Sequence, residues 1–206
     1  VGCGTGGLLR QLAATPGVEA VGLDVYPTAL RLCPSAGIRG LVLGSAERLP
    51  FASDTFHAVT ALDVLEHLED DRAAVREIAR VLVLGGVVVA TVPAYQWLWS
   101  GHDEALHHRR RYVASEIRRL FTDAGLQVSR LTYLLTALFP LAAALRMKER
   151  LTKRARDFQA ALIPVPRPIN RWLIALHAAE AAVAERIGLP YGLSVLVVAR
   201  KPLRTP

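Results

Sequence analysis

The residues best suited to chemistry fall in a few short stretches. Gly2, Gly4 and Gly6, in the opening run VGCGTGG (1–7), have no Cβ, so the backbone can bend sharply there and come close to a ligand; Cys3 lies between them. Leu8, Leu9 and Leu12 then begin a short helix that stops near Pro16 and Gly17, which aims backbone N–H groups at whatever the turn holds. Asp24, about twenty residues on and at the end of an apolar run, can accept bonds from both hydroxyls of a ribose. Residues 93–112, PAYQWLWSGHDEALHHRRRY, carry the candidate bases His102, Asp103, His107 and His108. Trp97 and Trp99 beside them can exclude water and hold an apolar molecule. Glu66 and His67 are adjacent potential metal ligands, but two donors are too few for a site, and no metal is expected.

Positioning these groups takes alternating strands and helices. Residues 18–24, 40–43, 56–62 and 87–92 are short apolar runs that read as buried strands. A helix begins at 28–32 and is cut short by Pro34. Residues 70–82 put Val75, Ile78, Ala79 and Leu82 on one helix face, with Gly85 and Gly86 as its stop. A basic amphipathic helix follows at 113–124, then strands at 126–131 and 194–200. Runs that are apolar throughout suit a parallel sheet covered on both faces. The expected fold is α/β: a Rossmann-like, doubly wound, mostly parallel sheet with a helical insertion before the last strand. One domain is expected over 1–206, with a core of 1–131 and 190–201 and an insertion at 132–189 broken by the proline-rich stretch 163–168. Because the chain starts inside the glycine turn, the strand that should carry that turn is expected to precede Val1.

Composition agrees with a folded domain. The 206 residues are 52% hydrophobic, with a mean hydropathy of +0.29, far from disordered chains. The net charge of +7 fits nucleic acid, an anionic membrane surface or an acidic substrate, without choosing among them. Cys3 and Cys33 form neither a metal spacing nor a disulfide framework, so a reduced, cytoplasmic setting is expected.

The glycine run fits both the GxGxxG of dinucleotide sites and the GxGxG of S-adenosylmethionine sites. Segments downstream separate the two: GLD (22–24), GSAERLPF (44–51), DTFHAV (54–59), LDVLEHL (62–68) and REIARVLVLGG (76–86). In this order and spacing the chain resembles the class I S-adenosylmethionine-dependent methyltransferases, in particular the group that includes the ubiquinone-biosynthesis O-methyltransferases. The likeness spans residues 1–92 and implies S-adenosyl-L-methionine as cofactor. By that resemblance Gly2, Gly4 and Gly6, with Cys3 among them, lie beneath the methionine moiety. Asp24 holds the ribose, Val25 flanks the adenine, Ser45 and Ala46 edge the adenine ring, and Leu62 and Asp63 contact the methionine end. Ser45 stands where the family often has an aspartate, His57 replaces the aspartate of FDxV, and Leu84 replaces the proline of RVLxPGG. HRRRY (108–112) matches a GHxRRY segment of many relatives; Arg110, Arg111 and Tyr112 either act in the site or anchor the lid. His102 and His108 are the candidate catalytic bases.

The implied activity is methyl transfer to a small-molecule or lipid-like acceptor, with oxygen as the expected acceptor atom. Two alternatives stay open: an NAD(P)-dependent oxidoreductase, although no YxxxK pair supports it, and a non-catalytic cofactor-binding module. Nucleic acid is not expected, because LDVLEH stands where base methyltransferases carry an Asn/Asp-Pro-Pro-aromatic turn. Residues 131–145 (LTYLLTALFPLAAAL) have no charge, and six basic residues follow within 146–156. That run is shorter than the roughly twenty residues of a spanning helix, and a crossing would strand 194–200 away from its sheet. An apolar helical cap lying on an anionic membrane, peripheral at its inner face, is the remaining membrane reading.

Overall fold

The computed structural model describes residues 1–33, 38, 40–152 and 166–203. The expected helix stop at Pro34, the start of the proline-rich break and residues 153–156 of the basic run lie outside them. The first half alternates as expected: α1 (Gly7–Ala13), β1 (Val21–Asp24), α2 (Pro27–Leu32), β2 (Gly40–Leu43), β3 (Phe56–Leu62), α3 (Asp71–Val81) and β4 (Leu82–Pro93). Then come α4 (Gly101–Ala105), α5 (Ala114–Asp123), β5 (Gln127–Leu134), α6 (Phe139–Thr152), α7 (Arg167–Arg186) and β6 (Ser194–Arg200).

The strands form two sheets. β1 pairs with β2 in parallel, and the other four run in the order β3-β4-β6-β5. β3 and β4 are parallel, whereas β6 lies antiparallel between β4 and β5. The opening residues stand in the seam: the Val1 nitrogen donates to the Thr60 carbonyl at 2.9 Å, and the Cys3 amide donates to the Leu23 carbonyl at 3.0 Å. Val75, Ile78 and Val81 of α3, with Ile117 and Phe121 of α5, share one core with Val88, Ala90 and Val92 of β4 and Val195, Val197 and Ala199 of β6. Asp70 starts α3 by accepting from the Ala73 amide at 2.8 Å, which satisfies one of the orphan donors of the first turn.

Three boundaries differ from expectation. Gly85 and Gly86 do not stop α3, which ends at Val81; they lie inside β4. Phe56 pairs with Leu82 and Ala58 with Val87, so residues 83–86 bulge out of the ladder. Gly85 takes φ +78° there, and its amide donates to the Lys201 carbonyl. Residues 132–134, assigned to the insertion, extend β5 because β6 pairs with them as far as Leu134↔Ser194. The insertion itself is α6 and α7, and of the twenty residues of α7 only Ala184 is buried.

Candidate active site

At the carboxyl end of β1, Asp24 is 7% exposed and turned toward the glycine loop. The Gly4 amide donates to its Oδ2 at 2.8 Å and the Tyr26 amide to its Oδ1 at 2.9 Å. Each carboxylate oxygen accepts about two bonds, so capacity remains for two hydroxyls. Gly2 takes φ +65°, and a Cβ there would run into Val64, so this turn accepts only glycine. Below it opens a cavity of about 630 Å³, within the range of sites for drug-sized ligands. Gly2, Asp24, Val25, Ser45, Ala46 and Asp63 line one side; His67, Leu106, His107 and Arg109 line the other. Asp63 (φ +51°) and His107 (φ +56°) both hold left-handed backbone, which surrounding bonds must enforce. For Asp63 those bonds come from Thr91, whose carbonyl accepts the Asp63 amide and whose hydroxyl donates to Oδ1.

The lid is tied down by one buried carboxylate. Asp103 has no exposed surface and receives Arg111 Nε at 2.7 Å and Arg111 Nη2 at 3.1 Å. The Ser100 amide donates to Oδ2 at 2.9 Å, and His108 Nδ1 lies 3.0 Å from Oδ1. Burial alone would raise this carboxyl; the bonds from Arg111 and His108 outweigh it and hold Asp103 below the usual range. It is therefore an anionic anchor and not a base. The neighbouring basic residues fasten the lid to a 3-10 turn, Leu65–His67. The Arg109 amide donates to the Glu66 carbonyl at 2.8 Å, and Arg110 donates to the Leu68 carbonyl and to Asp71. The Tyr112 hydroxyl donates to Asp71 Oδ2 at 2.8 Å, and burial followed by that carboxylate pushes the phenol pKa up.

Behind the cavity wall Glu66 is wholly buried, with no hydrogen-bond partner on either carboxylate oxygen. Burial pushes it up to about 8, so it carries a proton at neutral pH. His67 and His108 stand edge to face with centroids 4.8 Å apart, and burial, then His108, lowers the His67 pKa toward the neutral ring. Donor atoms of Glu66, His67 and His108 all lie within 4.8 Å of one another, close enough for these three to hold a divalent cation.

Residues 1–90 match the family model described as a methyltransferase domain. Over those residues the chain is similar to methyltransferase domains. It is 39% identical over 89 residues to O-methyltransferase resE of Aspergillus sclerotiorum, covering 40% of this chain and 34% of that protein. It is 35% identical over 92 residues to the ubiquinone biosynthesis O-methyltransferase of Xanthomonas oryzae, covering 42% and 38%. The chain thus spans little more than a third of the length of these relatives. Among solved structures, that of a putative sarcosine dimethylglycine methyltransferase from Galdieria sulphuraria superposes with a TM-score of 0.65 at 19% identity, over 98% of this chain and 77% of that one. That likeness carries the Rossmann-like α/β fold.

Not every residue singled out in the sequence reaches the cavity. Gly4 and Gly6 shape the turn from behind it; Gly4 meets Asp24 through its amide, and Gly6 caps α1. The Cys3 sulfur packs against Gly22, and burial, then Asp24, raises its pKa, so it stays a protonated thiol. Leu62 is 38% exposed and outside the lining. Ser45 spends its hydroxyl oxygen accepting from the Glu47 amide. His102 stands apart: it is exposed on α4, where its amide donates to Ser100 Oγ, and it does not line the cavity. His108 sits one layer back, in contact with His67. The sequence reading missed that His67, His107 and Arg109 line the wall; of its two readings for Arg110, Arg111 and Tyr112, the bonds these residues make are those of a lid anchor. Only the adjacency of the EH and HH pairs signalled the wall.

Proposed function

We propose that this chain moves a methyl group from S-adenosyl-L-methionine to a hydroxyl of a small-molecule acceptor. The observation that carries the reading is the Gly4–Asp24 bond at the mouth of a cavity of nucleoside size, with the carboxylate still able to accept two hydroxyls. When bound, the cofactor supplies a methyl group on sulfonium sulfur, open to in-line displacement. The two relatives named as O-methyltransferases support oxygen as the acceptor atom. A hydroxyl acceptor must lose its proton as the bond to carbon forms, and positioning does most of the remaining work. His67 is the base best placed to take that proton: it lines the cavity, burial favours its neutral form, and its ring rests on His108. His108 in turn is oriented by Asp103.

The test is label transfer from methyl-labelled cofactor to a panel of phenols, catechols and aliphatic alcohols. Label in a methyl ether, with kcat lowered at least tenfold in His67→Gln, is expected. Binding of S-adenosylhomocysteine with no transfer to any acceptor would establish a non-catalytic module instead. Stabilisation by NAD and none by S-adenosylhomocysteine would establish a dehydrogenase.

A further inference from the structure

We propose that α6 and α7 form a docking face for an anionic lipid bilayer, which lies against them without being crossed. The inference is independent of the reaction. On α6, Leu141, Leu145 and Met147 are exposed; on α7, Ile169, Trp172, Ile174 and Val183 are exposed, with Ile187 just beyond. Trp172 is 63% exposed, a large apolar ring with a polar N–H, the type of side chain that settles where headgroups meet acyl chains. Ile169, Trp172 and Val183 fall within about 60° of one another on one side of α7, a stripe larger than the singly scattered apolar residues of an ordinary surface.

Both helices are held to the domain at few points. Glu180 accepts from the Thr136 and Ala137 amides at 3.0 Å each, and Arg130 donates to the Ala184 carbonyl. Phe139 packs edge-on against Trp97 at 5.9 Å. These contacts fix the roots of the helices and leave their apolar flanks uncovered.

Charge selects the occupant. Residues 139–187 contain nine Lys or Arg against four Asp or Glu, while the rest of the chain contains sixteen against fourteen. Five of the seven net positive charges are therefore carried by the segment that exposes the apolar side chains. Two copies meeting through this face would set like charges against each other, whereas a leaflet of acidic lipid offers both counter-charge and apolar depth. No helix among the described residues is long and apolar enough to cross a membrane, so the face lies on the bilayer.

Co-sedimentation of the full chain with vesicles tests this. Phosphatidylcholine vesicles containing phosphatidylglycerol are expected to carry the protein down at low salt, with the bound fraction falling at high salt, and pure phosphatidylcholine to carry little. The double variant Ile169→Ser, Trp172→Ser is expected to weaken partitioning about tenfold, and Arg186→Gln, at the edge of the same stripe, about fivefold. All three positions are exposed, and circular dichroism checks that the variants stay folded. No sedimentation with acidic vesicles at low salt would overturn the proposal, as would binding that none of these changes weakens. A dimer in sedimentation equilibrium that Trp172→Ser dissolves would overturn it in favour of a second copy.

Discussion

Asp24 holds two backbone amides and keeps capacity for two further bonds, so its charge serves the turn and a ligand together. Asp24→Asn puts a donor or a weaker acceptor in that place. We expect affinity for S-adenosylhomocysteine, measured by calorimetry, to fall about tenfold to a hundredfold, the weight of a hydrogen bond to a charged group. Glu66 has the opposite environment, with no hydrogen-bond partner on its carboxyl group. Its pKa is raised to about 8, so its share of stability is fully present below the ordinary carboxylate range and is lost as pH rises toward 8. The loss is on the order of 5 kcal/mol, at about 1.4 kcal/mol per unit. Thermal denaturation of Glu66→Gln from pH 5 to 8.5 should accordingly show a flatter profile and a higher Tm at the alkaline end. The glycine turn and Asp24 were legible because a strand, a turn and an acid sit at fixed spacing along the chain. Glu66 was not, because its burial is made by Arg109–Tyr112, which come from a distant stretch.

Among the elements, the lid has the clearest energetic centre. Removing Asp103 leaves the Arg111 guanidinium and the His108 ring facing an empty buried site. Asp103→Ala is expected to cost about 3 kcal/mol in urea denaturation, the usual result of breaking one side of a buried ion pair. Since the folded state holds Asp103 below its ordinary range, its contribution is present above that range and is lost on acidification, so the wild type should lose its advantage over the variant in acid. Element types were readable from period and punctuation; element ends were not. Gly85-Gly86 looks locally like a helix stop, yet β3 pairs on both sides of the bulge and draws the glycines into a strand. The far end of β5 is likewise fixed by β6, sixty residues away in sequence terms of pairing such as Leu134↔Ser194.

For the whole molecule, the proposed ligand site joins the two sheets: Asp24 and Ser45 belong to the β1–β2 side, Asp63 and His67 to the β3 side. A ligand held by both resists their separation. At about a hundredfold over Kd, S-adenosylhomocysteine should add about 2.7 kcal/mol, or roughly 5–10 °C in a thermal-shift assay, and NAD should add nothing measurable. The doubly wound α/β plan was legible from alternating apolar runs. The bridging of the two sheets by the Val1 and Cys3 backbone nitrogens was not, because pairing is decided across space.

That bridge has a kinetic consequence. The β1–β2 leaf is anchored to its neighbour through Val1 and Cys3, while Arg80 of α3 grips the Leu49 and Phe51 carbonyls beyond β2. β2 itself has no fully buried residue, unlike Val88 to Val92 at the heart of β4. Deuterium should therefore enter the amides of Leu41, Val42 and Leu43 well before those of β4, and S-adenosylhomocysteine should slow the former far more than the latter. The β1–β2 leaf would breathe while β4 stays shut, which would give a ligand of the cavity a way in that leaves the pinned lid undisturbed.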